Sequence, residues 1–181
     1  SGYSSAPSIA FTSAEGLGAS AIAYLGQRTS GGATGGMEIR PEELTVESVW
    51  DDTHVVHVLR GEILVGNLHT TTGLQLRSEV NQSLIVKLQG DDAGLTAYGE
   101  GTDILDRIGG TVQVIGQPGY PVVMTSLRDD SIGASLNPLG EPTKDTNTDG
   151  AASQASSDDW RGMQFLPLSN DTNVKTKRYN T

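Results

Sequence analysis

Gly109-Gly110-Thr111-Val112-Gln113-Val114-Ile115-Gly116, continued by Gln117-Pro118-Gly119-Tyr120-Pro121-Val122-Val123-Met124-Thr125-Ser126, sets two short apolar runs on either side of a turn. The turn is built of Gly and Pro, and the runs are β-branched or aliphatic, which is strand chemistry rather than helix chemistry. A long polar excursion follows, holding Asp145-Thr146-Asn147-Thr148-Asp149-Gly150. Apolar character returns at Asp159-Trp160-Arg161-Gly162-Met163-Gln164-Phe165. Short strands, a glycine-bounded turn and one long loop are the parts of a stacked β-coil. No catalytic constellation stands beside them.

The same pattern extends upstream. Val55 to Leu59, Ile63 to Val65, Leu74 to Leu76, Leu84 to Leu88 and Leu95 to Tyr98 read as strands, each bounded by Gly, Asn, Asp or Pro. A helix of ordinary length has no room between 55 and 127. Leu64, Ile85 and Val112 sit at the centres of similar runs, 21 and 27 residues apart, a spacing of solenoid size. One coil cannot bury its apolar face alone, so neighbours must stack. Alternation then gives the interior Val112, Val114, Val122 and Met124, or, in the opposite register, Ile115 and Val123. Gly116 and Gly119 are expected at corners closed to other residues. An antiparallel β-sandwich with frequent turns is the alternative architecture.

Composition bounds the rest. Only 35% of the 181 residues are hydrophobic and 5% aromatic, while glycine numbers 23, so a lean, turn-rich core is expected. A net charge of -10 argues against nucleic acid and anionic membrane as partners. The absence of cysteine excludes disulfides, thiolate metal sites and cysteine catalysis. No apolar run is long enough to span a membrane as a helix. The sequence starts at Ser1 and shows no signal peptide, which suits a processed chain or one piece of something larger. Residues 1–36 draw 22 positions from Ser, Gly and Ala and read as an arm or linker, although Ala19 to Leu25 is apolar enough to pack. Residues 37–181 read as the folded domain, with an acidic loop over 128–159.

Gly110 to Leu127 resembles one coil of a right-handed parallel β-helix of the kind found in bacterial surface proteins. Asp159-Trp160-Arg161-Gly162-Met163-Gln164-Phe165 is similar to the segment such proteins place after a long variable loop. Trp50-Asp51-Asp52-Thr53-His54-Val55-Val56-His57-Val58-Leu59, with Asp106-Arg107-Ile108-Gly109-Gly110, resembles modules of very large exported planctomycete proteins. The resemblance covers about 48–174. It implies a short right-handed parallel β-helix in a secreted or cell-surface bacterial setting, and it implies no activity. In the related modules further coils usually follow, so continuation of the array, or another chain over the open end, is expected here.

Asp145-Thr146-Asn147-Thr148-Asp149-Gly150 is the clearest chemical motif. Oxygen side chains at alternate positions followed by glycine match the first half of a calcium loop. Ser156 stands where a bidentate Glu should be, so Asp158 and Asp159, or Asp129 and Asp130, must complete the shell. The expected metal set is Asp145, Asn147, Asp149, Asp158 and Asp159, holding Ca²⁺ in a structural role; the alternative is a solvated acidic loop. His54 and His57 lie three apart, on opposite faces of a strand, which defeats zinc chelation. His69 has no partner nearby. Asp103, Asp106 and Arg107 read as a turn with a carboxylate–guanidinium bond. Trp50, Trp160, Tyr98, Tyr120 and Phe165 read as core plugs or strand caps rather than a sugar platform. Lys175, Lys177 and Arg178 form a basic tail that can pair with the acidic region of a neighbour. Asn81-Gln82-Ser83 and Asn170-Asp171-Thr172 are glycosylation sequons in form only.

The sequence thus points to a structural or adhesive module with no enzymatic activity, associating with itself or with neighbouring modules, head to tail and into filaments. Unpaired strand edges at an open coil end are what would recruit the neighbour. The second expectation is a polysaccharide-binding or lyase-like domain, with Asp129, Asp130, Arg128 and an aromatic residue lining a groove and Lys87 or Arg128 as base.

Overall fold

The computed structural model describes residues 35–66, 73–99, 110–136 and 141–170. The Ser/Gly/Ala arm through residue 34, His69, Asp103, Asp106, Arg107 and the basic tail lie outside them. The described strands all belong to the compact unit spanning 34–181. In chain order they are β1 (Met37–Ile39), β2 (Glu43–Leu44), β3 (Ser48–Trp50), β4 (His57–Leu59), β5 (Glu62–Val65), β6 (Gly73–Arg77), β7 (Ile85–Leu88), β8 (Gly90–Ala97), β9 (Thr111–Ile115), β10 (Val123–Ser126), β11 (Ala134–Leu136), β12 (Pro142–Thr143) and β13 (Trp160–Phe165). Among the described residues there is no helix, and so none long and apolar enough to cross a membrane.

Every third strand returns to the same sheet. The first sheet runs β1-β4-β7-β10, the second β2-β5-β8-β13 and the third β3-β6-β9, and every pair in them is parallel. The chain therefore adds one strand to each sheet per turn. The fourth turn supplies β10 and, after an insertion, β13. The only antiparallel strand pair among the described residues is β11 with β12, inside that insertion. An antiparallel sandwich is thus not what forms.

The alternation of apolar residues explains the register. Met37, His57, Val86 and Met124 are direct neighbours up the first sheet. Leu44, Val65, Ala97 and Phe165 do the same in the second, and Trp50, Leu76 and Val114 in the third. Between their exposed end members Met37, Val114 and Phe165, these rows face one core that also takes in Leu59, Ile63, Leu74, Leu84, Leu88, Leu95 and Val112. Burying one such side chain contributes roughly 1.5–3 kcal/mol, against about 1 kcal/mol net for a ladder hydrogen bond. The inward rows therefore set the register, because a one-residue slip would turn every row outward. Gly110 is the tightest point between turns: a Cβ there would lie 1.8 Å from the Val65 carbonyl oxygen.

The outer face of the first sheet is apolar as well. Val56, Val58 and Ile85 form a second cluster with Leu127 and Ala134, against which Val123 and Ile132 pack. Leu127, Ile132 and Ala134 belong to the segment between β10 and β13, which folds back over the sheet.

Each run read as a strand from the sequence overlaps one of β4 to β10. Val112 is buried, and Val122 and Met124 pack against the same core, while Val123 faces the outer cluster. Val114, expected inside with them, is 48% exposed, because β9 ends its row with no described strand above it. Two more expectations are corrected. Leu64, Ile85 and Val112 do not repeat one another: they lie in the second, first and third sheets. The turn at 117–120, closed by a bridge between Gln117 and Tyr120, takes its positive φ from Gly119 (81°), and Gly116 has no such conformation.

Candidate functional site

The insertion between β10 and β13 gathers a cluster of charged groups over the outer face of the first sheet. It is fastened from below by Lys87. This residue points outward from β7, is fully buried, and donates to the carbonyl oxygens of Asp129 and Lys144, each at 2.7 Å. Burial pushes its pKa below the usual lysine value, against the opposing pull of Asp130, Asp129 and Asp145.

A second clasp closes the base. Asp159 accepts hydrogen bonds from the Ser126 hydroxyl (2.6 Å), the Ser156 N–H (2.8 Å) and the Arg128 guanidinium (3.0 Å). Asp129 is held in turn by the hydroxyls of Thr125 and Ser131.

Above Lys87 the carboxylates of Asp130, Asp145 and Asp149 each place an oxygen within 4.8 Å of the others. The acidic hexapeptide makes this possible by winding tightly: Thr148 and Gly150 have positive φ (59° and 68°), and Asp145 accepts the N–H groups of Asp149 and Gly150. Asn147 donates its amide to Asp149 and Ser153, which leaves its Oδ1 buried without a donor; Asp130 Oδ1 is in the same state. Burial, and then the Asp145 carboxylate, raise the Asp130 pKa.

Of the residues expected to hold a metal, Asp145 and Asp149 thus converge, Asn147 lies between them, and Asp130 joins from the start of the insertion. Asp159 is engaged in the clasp. Asp158, exposed and with a positive φ of 72°, borders a separate hollow with Asp91, Trp160 and Arg161. Three converging carboxylates are hard ligands of the type calcium takes, although fewer than the six to eight oxygens it fills.

A hollow of about 330 Å³ opens beside the cluster, with Arg128, Asp129 and Asp130 on one wall and Ser153 and Gln154 on the other. It has no aromatic wall. Trp50 instead faces inward and stacks on His57 with ring centroids 5.7 Å apart. His57 is buried, and desolvation lowers its pKa; His54 sits exposed in the preceding turn. Tyr98 donates its hydroxyl to Glu43. On the outer face of the second sheet Glu62 accepts from Arg161 and Thr96, and Arg161 also reaches Thr96. These bonds, that to Arg161 foremost, hold the Glu62 carboxyl below the usual range.

In the sequence Lys87 stands out only as the base of a lyase-like domain. Its signal is a single lysine inside the aliphatic run Leu84 to Leu88. Comparison with protein-family models, curated proteins and solved structures finds no match to this chain.

The Asp159 clasp makes a pH prediction. The Ser126 hydroxyl, followed by the Ser156 N–H and Arg128, lowers the folded-state pKa of Asp159. Its contribution is therefore complete above the ordinary carboxylate pKa and is lost as pH falls through the folded value. Asp159→Asn should cost about 2 kcal/mol near neutral pH, the range of hydrogen bonds to charged groups. The gap between the two proteins should close on the acid limb. Urea unfolding across that limb measures it, and a gap independent of pH would refute the assignment.

Proposed function

We propose that this chain is a right-handed parallel β-helix that serves as a structural and adhesive module of an exported bacterial surface protein. It joins end to end with further copies or modules and is stabilised by calcium at its insertion. The observation that carries this reading is the distribution of exposed apolar side chains. Of the eight large ones among the described residues, Met37, Val46 and Val49 lie in the first turn, and Val114, Tyr120, Phe165 and Leu166 lie at the other end; Val80 alone lies elsewhere. Stacked repeats that end in solution carry polar caps, whereas exposed apolar side chains collect at both ends of this stack. The right hand is supported by the steric preference governing parallel crossovers. The exported setting rests on the resemblance of Gly110 to Leu127 and Asp159 to Phe165 to surface-protein coils. The Ser/Gly/Ala arm suits a donor segment laid on a neighbour.

Light scattering on the eluting protein tests the joint, using the intact chain, the chain lacking residues 1–36, and Phe165→Asp. The intact chain should associate as concentration rises. Removing the Phe165 contact forfeits about 2 kcal/mol, which weakens association about thirtyfold. Monomers at every concentration in all three samples would sink the reading.

Calcium is supported by the Asp130–Asp145–Asp149 convergence and the free Asn147 oxygen. Thermal unfolding by circular dichroism should show a higher midpoint with calcium than with EGTA, and no difference in Asp145→Asn. Equal midpoints in the unaltered chain would remove the ion.

A second reading, a polysaccharide-binding or lyase-like domain, draws support from the hollow between Arg128, Asp129, Asp130 and Gln154. It predicts retention on an acidic glycan column that Arg128→Ala abolishes. Passage through the column unretarded, with no cleavage products, eliminates it.

A further inference from the structure

The three inward rows define how one copy meets the next. We infer that the first turn of a second copy completes the three sheets at the last turn of this one, in the same register that relates successive turns within the chain. This rests on the end-to-end reading above and specifies its partner, direction and alignment.

The third sheet shows the acceptor. Among the described residues it has three strands where the other two have four, so β9 is the last described strand of that sheet. Asn170 already treats that edge as a strand would. Its Oδ1 accepts the Val112 N–H at 3.0 Å and its Nδ2 donates to the Val112 carbonyl at 3.2 Å. With its own N–H donated to the Gly110 carbonyl at 3.0 Å, Asn170 thus fills one residue position along the edge. Val114, two residues on, turns its N–H and C=O to the same side, and no described residue bonds them there. An incoming strand engages β9 from Gln113 onward.

The donor is legible from the register. Continuing each row by one step places Met37 of the second copy on Met124, Leu44 on Phe165 and Trp50 on Val114. Each of the three contacts is apolar on apolar, and Val114 and Phe165 are 48% and 52% exposed without them. A shift of one residue would break this set, placing Leu44 on Gln164 and Trp50 on Gln113 in one direction and Met37 on Thr125 in the other.

Charge selects the same pairing. Residues 110–127 contain no Asp, Glu, Lys or Arg, and neither do 162–170. The first turn carries Glu38, Glu42, Glu43 and Glu47 against Arg40 alone. Two first turns face to face would oppose like carboxylates. Two last turns would set their strands antiparallel. First turn on last turn keeps every strand parallel and puts the acidic end against an uncharged one. Such a contact is heterologous and does not close, so copies add without limit along one axis.

The chain has no cysteine, which permits a direct test. Val49 lies against Gln75, and Gln75 against Gln113, on the outer face of the third sheet. Across the joint, Val49 of one copy falls beside Gln113 of another. Neighbouring strands are about 4.8 Å apart, within the roughly 4.4–6.8 Å a disulfide spans between Cα atoms. Both residues are exposed, so the double variant Val49→Cys/Gln113→Cys retains the core. A second pair, Glu43→Cys/Gln164→Cys, samples the second sheet in the same way. Under mild oxidation each double variant should yield a ladder of disulfide-linked oligomers on non-reducing gels, while each single variant stops at linked dimers. Association that persists in light scattering while neither pair gives a ladder overturns this alignment and leaves the end-to-end reading standing. An unaltered chain that stays monomeric at all concentrations overturns both.

Discussion

A strand of the three larger sheets finds its backbone partners only one turn of chain away. No turn satisfies itself, and no hairpin within a turn can stand in, because successive strands go to different sheets. Parallel pairing follows, and with it the alignment of equivalent side chains in inward rows. The core is the sum of these rows. Its lean composition suffices because each Leu or Val meets the same kind of residue above and below rather than a distant partner across a globule.

The insertion obeys a different logic. It does not extend a row; it covers the outside of one. Val58, Ile85 and Val123 would face water without Leu127, Ile132 and Ala134. Lys87 stands among them because the loop's carbonyls need a donor where the sheet has none to offer. Its buried charge is tolerated because carboxylates sit close by. The acidic cluster and the apolar cover are thereby two sides of one attachment, and the positive charge beneath draws Asp130 and Asp145 toward a common centre.

Much of this was legible in the sequence, for local reasons. The runs from Val55 to Met124 alternate cleanly between Gly- and Asn-rich breaks, and strand formation is decided at that scale. The first turn is not legible there because β1 to β3 are two or three residues long and set among glutamates; only stacking on β4 to β6 makes them strands. Which strand joins which sheet was not legible either. Turns of unequal loop length break any fixed spacing, so Leu64, Ile85 and Val112 look alike in sequence and occupy three different sheets. The oxygen alternation of Asp145, Asn147 and Asp149 stood out. The arrival of Asp130, and the diversion of Asp159 to Arg128, depend on how the loop folds back, which no local pattern encodes.

The fastening of the insertion has a mechanical side. Tension along the stacking axis pulls the ladder hydrogen bonds nearly along their own direction, so turns would part singly, as a zipper does. The insertion runs alongside them. Its Thr146 carbonyl accepts the Gly35 N–H ahead of the first turn at 2.6 Å. Its Asp129 and Lys144 carbonyls hold Lys87 of the third turn, and Asp159 holds Ser126 of the fourth. It is a tendon tied across the stack, so peeling the first turn from the rest also strains bonds at the far end, and stretching one module becomes a cooperative event rather than a succession of small ones.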